Sequence, residues 1–181
     1  MGRIQERTRM QIITAFLELL SRDYFDKISV SQVAKKSFVT RSTFYRYFDD
    51  KNDLLLQAAL ETLDGSESDE PLLVQFATYV ESHAGFLKHL SPSRQSRMNL
   101  TDVVSGVIGK MVTDKVQYDG DQSNDPFVNL IKAADNSPLM VDALVGLLMG
   151  MLDHYHHNGF EVDEDELNRT MQLLSSHMTV N

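Results

Sequence analysis

The chain has 181 residues, 42% of them apolar, with four prolines, which is enough for a substantial core and argues against disorder. The absence of cysteine excludes disulfides and cysteine-based zinc sites, and no apolar run approaches the roughly 18–20 residues of a membrane span. The net charge of −9 is segregated: residues 1–48 hold nine Lys/Arg against four Asp/Glu, and residues 49–181 hold eight against twenty-two.

The N-terminus, MGRIQERTRM, lacks the apolar segment of an export signal, so the cytoplasm is the expected location. A first helix is expected from about Glu6 to Arg22, with Ile13, Phe16, Leu17 and Leu20 as its buried stripe. Arg3, Arg7 and Arg9 at its start are open to two readings, phosphate contact or solvation. Residues 28–52, ISVSQVAKKSFVTRSTFYRYFDDKN, then read as two short helices around a tight bend. The first is Ser31–Lys36, capped by Ser29, with Val33 and Ala34 inward. The bend is Ser37-Phe38-Val39. Thr40 caps the second helix, Arg41 to Phe48, on which Phe44, Tyr47 and Phe48 share one face. Arg41, Ser42, Thr43, Tyr45 and Arg46 are left outward. A short helix presenting Arg and hydroxyl groups without a carboxylate suits the major groove of DNA. A helix from Asp50 to about Leu63 follows, with Asp49 and Asp50 at its electropositive start.

The string Thr43-Phe44-Tyr45-Arg46-Tyr47-Phe48, then Lys51, then Leu54-Leu55, resembles the T-[FL]-Y-x-[HY]-F-x-x-K-x-x-L-[LI] signature of TetR/AcrR-type transcriptional regulators. The resemblance covers residues 8–63 closely and the remainder in general plan. It implies an all-α fold: an N-terminal three-helix helix-turn-helix head, joined by a helix to an all-helical ligand-binding and dimerisation body. Residues 1–63 would be the DNA-binding domain with its connecting helix, and 64–181 the effector-binding and dimerisation domain. The DNA-binding set is taken as Ser31, Thr40, Arg41, Ser42, Thr43, Tyr45, Arg46, Tyr47 and Lys51, with Lys51 as the family's phosphate contact. Two positions depart from the family pattern. Tyr24 stands in the loop after the first helix where the family usually has Gly. The bend reads Ser37-Phe38-Val39 where the family has A-G-V. A bulky residue at positive φ costs on the order of 1 kcal/mol or more, so Phe38 either carries strain or the bend has changed shape.

Residues 64–71, DGSESDEP, are a polar break, after which the body reads as helical throughout. Helices are expected over Leu72–Leu90, Met98–Val116, Phe127–Ala134 and Leu139–Asn158, with a last one opened by Asp163 or Glu164 and striped by Leu167, Met171, Leu174 and Met178. Ser91-Pro92-Ser93, residues 117–126 and residues 135–138 separate them. Gly146 and Gly150 lie i, i+4 on the most apolar helix, which suggests close approach of another helix. The last two helices pack either inside their own monomer or, as the resemblance implies, against a second copy in a four-helix homodimer interface. The interface set is Gly146, Leu147, Gly150, Met151, His154, Leu167, Met171 and Leu174.

Seven methionines in the body suit an adaptable apolar cavity as well as ordinary core. The resemblance implies a small-molecule effector there, with Phe76, Tyr79, Val80, Phe86, Met98, Val104 and Met111 as its expected lining. The acidic surplus favours a neutral or cationic effector. His154, His156 and His157 match no metal-site pattern, so no metal and no cofactor are expected. No GxSxG, P-loop or GxGxxG is present, so no enzyme activity is expected. The leading expectation is a DNA-binding regulator, a repressor in the family's manner, released from its operator by a small-molecule effector. The alternatives are an effector-blind binder or an activator working through a protein partner, and, from another class, an all-helical enzyme or carrier.

Overall fold

The computed structural model describes residues 3–63, 68–90, 100–120 and 123–177, which hold ten α-helices, one 3-10 turn and no strand. The chain divides into two compact units, Met1–Leu63 with Gly85–Val103, and Asp64–Ala84 with Val104–Asn181.

The first unit opens with α1 (Arg3–Leu20), the 3-10 turn Phe25–Lys27, α2 (Val30–Lys36), α3 (Arg41–Tyr45) and α4 (Lys51–Glu61). Its helices start where short polar side chains can satisfy free N–H groups. Ser29 caps α2 in a reciprocal box: its hydroxyl accepts from the Gln32 N–H, and the Gln32 side chain accepts from the Ser29 N–H. Thr40 caps α3 and Asp50 caps α4. Helix α1 packs on α2 and α4, and α2 on α3. Ile12, Ile13, Phe16, Leu20, Phe44, Phe48, Leu54 and Leu55 are essentially inaccessible between them. Helix α3 is shorter than the expected Arg41–Phe48. Tyr47 closes a tight turn by donating to the Phe44 carbonyl (2.9 Å), and Phe48 still reaches the core.

The two family departures resolve differently. Tyr24 sits in ordinary extended backbone (φ −61°), where no glycine is needed, and its ring edge meets His89 at 5.3 Å. Phe38 does carry the positive φ, at 54°. The bend therefore keeps the helix-ending geometry of a Schellman motif: the Phe38 N–H donates to the Lys35 carbonyl (3.3 Å) and the Val39 N–H to the Ala34 carbonyl (2.9 Å). Strain, not a reshaped bend, is the outcome.

The later helices are α5 (Leu72–Ser82), α6 (Ala84–Leu90), α7 (Leu100–Asp119), α8 (Pro126–Ala133), α9 (Ser137–His157) and α10 (Glu164–His177). The helix expected over Leu72–Leu90 is broken at His83, whose ring stacks on Tyr79 at 4.3 Å while its Nδ1 bonds the Tyr79 carbonyl. No proline announces this break. Helix α7 continues past the expected Val116 because Lys115 and Asp119 pair one turn apart (2.6 Å) with the lysine buried. In the second unit α5 packs on α9 and α10, and α8 on α9. Phe76, Val80, Val112, Phe127, Val128, Leu144 and Leu148 form the core there. Asp125 is buried and fully used: it caps α8 through the Phe127 and Val128 N–H groups and accepts from the Leu72 N–H.

Candidate nucleic-acid interface

Helix α3 is anchored by one residue type and displays another. Phe44 and Phe48 are buried, their ring centroids 5.6 Å apart, and this fixes the helix on the head. Arg41, Ser42, Tyr45 and Arg46 are thereby exposed, with Thr43 and Tyr47 half-buried at the margins. Arg41 makes no hydrogen bond or ion pair among the described residues. Arg46 stands over the Tyr47 ring at 5.4 Å, which orients the guanidinium without neutralising it. Thr40 is partly committed: its hydroxyl caps α3 through the Thr43 N–H (3.0 Å) and bonds the Thr43 and Ser42 hydroxyls. Ser31 is exposed on the first turn of α2. No carboxylate lies on α3, so its free donors face any approaching phosphate unopposed.

Lys51, expected as a phosphate contact, is engaged inside the head. Its ammonium donates to the carbonyls of Phe25 (2.8 Å) and Ile28 (2.9 Å) and sits 4.1 Å from the centre of the Phe25 ring. Burial, opposed only in part by Asp26, pushes this ammonium below the ordinary lysine value. Two of its three donors hold the 3-10 turn to α4, which gives the side chain a structural task. Arg9 is likewise occupied: it bonds Glu61 (2.9 Å), Glu6 (3.3 Å) and Gln57 (3.2 Å), which ties α1 to α4. Of the three N-terminal arginines, Arg3 and Arg7 remain exposed. Sequence patterns count charges but do not see carbonyls delivered from a loop.

The other expected sites divide. Phe76, Val80 and Met111 are buried in the second unit, and Tyr79 and Val104 are half-buried there. Phe86 is buried but belongs to the first unit, and Met98 lies outside the described residues. On α9, Gly146 and Gly150 are exposed, with Leu147 and Met151 half-buried beside them. A Cβ built on either glycine meets nothing within 4 Å, so the expected close helix contact is not made among the described residues. Leu167 is buried in its own chain and belongs to the core, while Leu174 is half-buried; the Met171 side chain lies outside the description. His154 turns to Asn158 (3.0 Å) and Glu166 (3.8 Å). Asp153, His156 and His157 bring ligand atoms within 4.8 Å of one another on the last turns of α9, a surface grouping that is common without an ion. Among the described residues no helix is long and apolar enough to cross a membrane.

Comparisons with known proteins agree with this geometry. Residues 12–58 match the family model of bacterial regulatory proteins, tetR family. The HTH-type transcriptional regulator HbdR of Aromatoleum sp. (strain CIB) is 30% identical over 77 residues, 42% of this chain. That match spans about a third (34%) of the relative's length. In fold, a TetR transcriptional regulator from Rhodococcus sp. RHA1 aligns over 97% of both chains with a TM-score of 0.59 at 16% identity. A tetR-family transcriptional regulator from Streptomyces coelicolor aligns over 98% of this chain and 82% of its own, with a TM-score of 0.54 at 19% identity. These relatives are regulators, not enzymes. Motif and family model converge on residues 12–58, which match the N-terminal domain of bacterial regulatory proteins of the tetR family, and the chain shares its helical fold with solved TetR-type regulators.

Proposed function

We propose that this chain is a transcriptional regulator that reads operator DNA with α3, acts as a homodimer, and represses until a small-molecule effector releases it. The observation that carries the reading is the exposed, carboxylate-free face of α3 with Arg41, Ser42, Tyr45 and Arg46. It stands in a segment, residues 1–48, where Lys/Arg outnumber Asp/Glu nine to four, while the remainder is acidic and would repel DNA. Dimerisation is supported by the open glycine positions on α9, where a second copy could approach closely. A symmetric pair of heads would read two half-sites. Release follows from linkage: an effector that binds better to a form with misplaced heads weakens DNA binding by its differential affinity. The acidic body favours a neutral or cationic, partly apolar effector, and the working compartment is the cytoplasm.

The test is a gel shift of the full chain on duplexes from beside its own gene, across a range of salt. One duplex should bind in preference to the rest. Arg41→Ala should weaken that complex by about 1–3 kcal/mol, roughly 5- to 150-fold, and relax its sequence preference. A chain with no preference among such duplexes would overturn the reading.

A further inference from the structure

We infer that Phe38 is a DNA-contacting residue whose ring meets a thymine methyl at the edge of the major groove, beside the start of α3. It rests on the DNA-binding reading above and extends it, since that reading draws its contacts from polar side chains. Phe38 is disfavoured twice in the folded chain. Its backbone is left-handed (φ 54°), where a side chain is strained, and its ring is 90% exposed to water. Phe160 provides the internal contrast. It too has a positive φ (65°), but its ring is only 5% exposed and packs edge-on against His156 at 5.5 Å. Burial offsets the strain at Phe160, and the folded chain offers Phe38 no such return.

The bend at Phe38 is held, not loose. Beyond its two helix-ending hydrogen bonds, the Gln11 side-chain amide donates to the Ser37 carbonyl (2.8 Å), and the buried Ser37 hydroxyl donates back to Val33 (2.8 Å). A strained residue that its surroundings hold in place, with an apolar ring presented to solvent, points to a surface organised in advance for a partner.

Charge and continuity identify that partner as nucleic acid. Lys35 and Lys36 precede the ring, Lys36 being paired with Glu18 (2.6 Å), and Arg41 follows it. Phe38 lies two residues before Thr40, the N-cap of α3. The N-terminal end of a recognition helix is the part that meets base edges. In the major groove the apolar feature is the thymine 5-methyl, and phenylalanine is one of the side chains that read it.

The test uses full-length wild type, Phe38→Gly and Arg41→Ala on the duplex that wild type prefers, and on the same duplex with deoxyuridine in place of thymidine. That exchange removes only the methyl groups. Phe38→Gly should melt no lower than wild type, since glycine accepts the bend. It should bind the thymine duplex about three- to tenfold more weakly, the scale of one buried methyl-sized contact. On the uracil duplex the two proteins should bind alike. If Phe38→Gly binds the thymine duplex as wild type does while Arg41→Ala is impaired, this inference falls and the DNA-binding reading stands. An equal loss on both duplexes overturns the thymine contact. If both variants match wild type on both duplexes, the α3 surface is wrong and the inference falls with it.

Discussion

Lys51 begins α4, yet its ammonium turns back to two carbonyls at either end of the 3-10 turn. The Phe25 carbonyl already accepts from the Ile28 N–H (3.1 Å), so the lysine adds a second donor there and serves the Ile28 carbonyl as well. Removing it would leave part-buried acceptors short of a partner, which costs about 1–3 kcal/mol. We therefore expect Lys51→Ala to lower the unfolding free energy measured by urea titration by that amount, with a lower midpoint, at fixed protein concentration. Loss of DNA affinity with an unchanged urea midpoint would instead restore Lys51 to a direct phosphate contact. The same logic separates Arg9 from Arg3 and Arg7. Three side-chain acceptors hold Arg9 between α1 and α4, so its charge is spent inside the head.

At the scale of single elements, α7 depends on one buried ion pair. Lys115 bonds Asp119 (2.6 Å) and the Ser68 carbonyl (3.0 Å), and Asp119 also accepts from Ser123. Burial alone would raise the Asp119 carboxyl. The bonds from Lys115 and Ser123, with the charges of Lys115 and Lys132, outweigh burial and hold it below the ordinary value of 3.8. A carboxyl depressed in the folded state stabilises the fold above its unfolded value and loses that contribution as pH falls through the folded one. Part of the stability should therefore disappear as the pH is lowered below 3.8. Asp119→Ala leaves a buried ammonium without its partner and should cost about 3–5 kcal/mol. The double change Lys115→Met/Asp119→Leu should cost far less, and should flatten that part of the acid limb in denaturant titrations. Equal costs for the single and double variants would show that the pair matters only through packing.

At the scale of the whole molecule, the exposed face of α9 is where we propose that a second copy packs. Gly146 and Gly150 leave room that no side chain or neighbouring helix among the described residues fills within 4 Å of a built Cβ. A leucine at position 150 should thus be harmless to the folded monomer and obstructive to a second copy. We expect wild type to scatter light as a dimer at micromolar concentration. Gly150→Leu should scatter as a monomer, or associate at least tenfold more weakly, while keeping its helical circular dichroism. Monomeric wild type would refute the interface, and an unfolded Gly150→Leu would mean that α9 is covered from within its own chain.

Much of this was legible from residues alone, because local rules govern it. Short polar residues before apolar periodicity located the caps at Ser29 and Thr40, and Phe44 and Phe48 declared the buried side of the second short helix by spacing. Segregated charge and one signature pointed to the family. Tertiary structure decided what depends on partners distant in sequence. Lys51 and Arg9 took up bonds inside the head because carbonyls 23 and 26 residues away, and an amide and an acid 48 and 52 residues away, came within bonding distance. His83 ended a helix that periodicity alone would have carried through to Leu90. Only the folded backbone could show whether Phe38 would reshape the bend or accept strain, because that choice depends on bonds to Ala34, Lys35 and Gln11. Periodicity reports which face of a helix is apolar; whether that face is covered by the same chain, as at Leu167, or left open, as at Gly150, depends on how the helices pack.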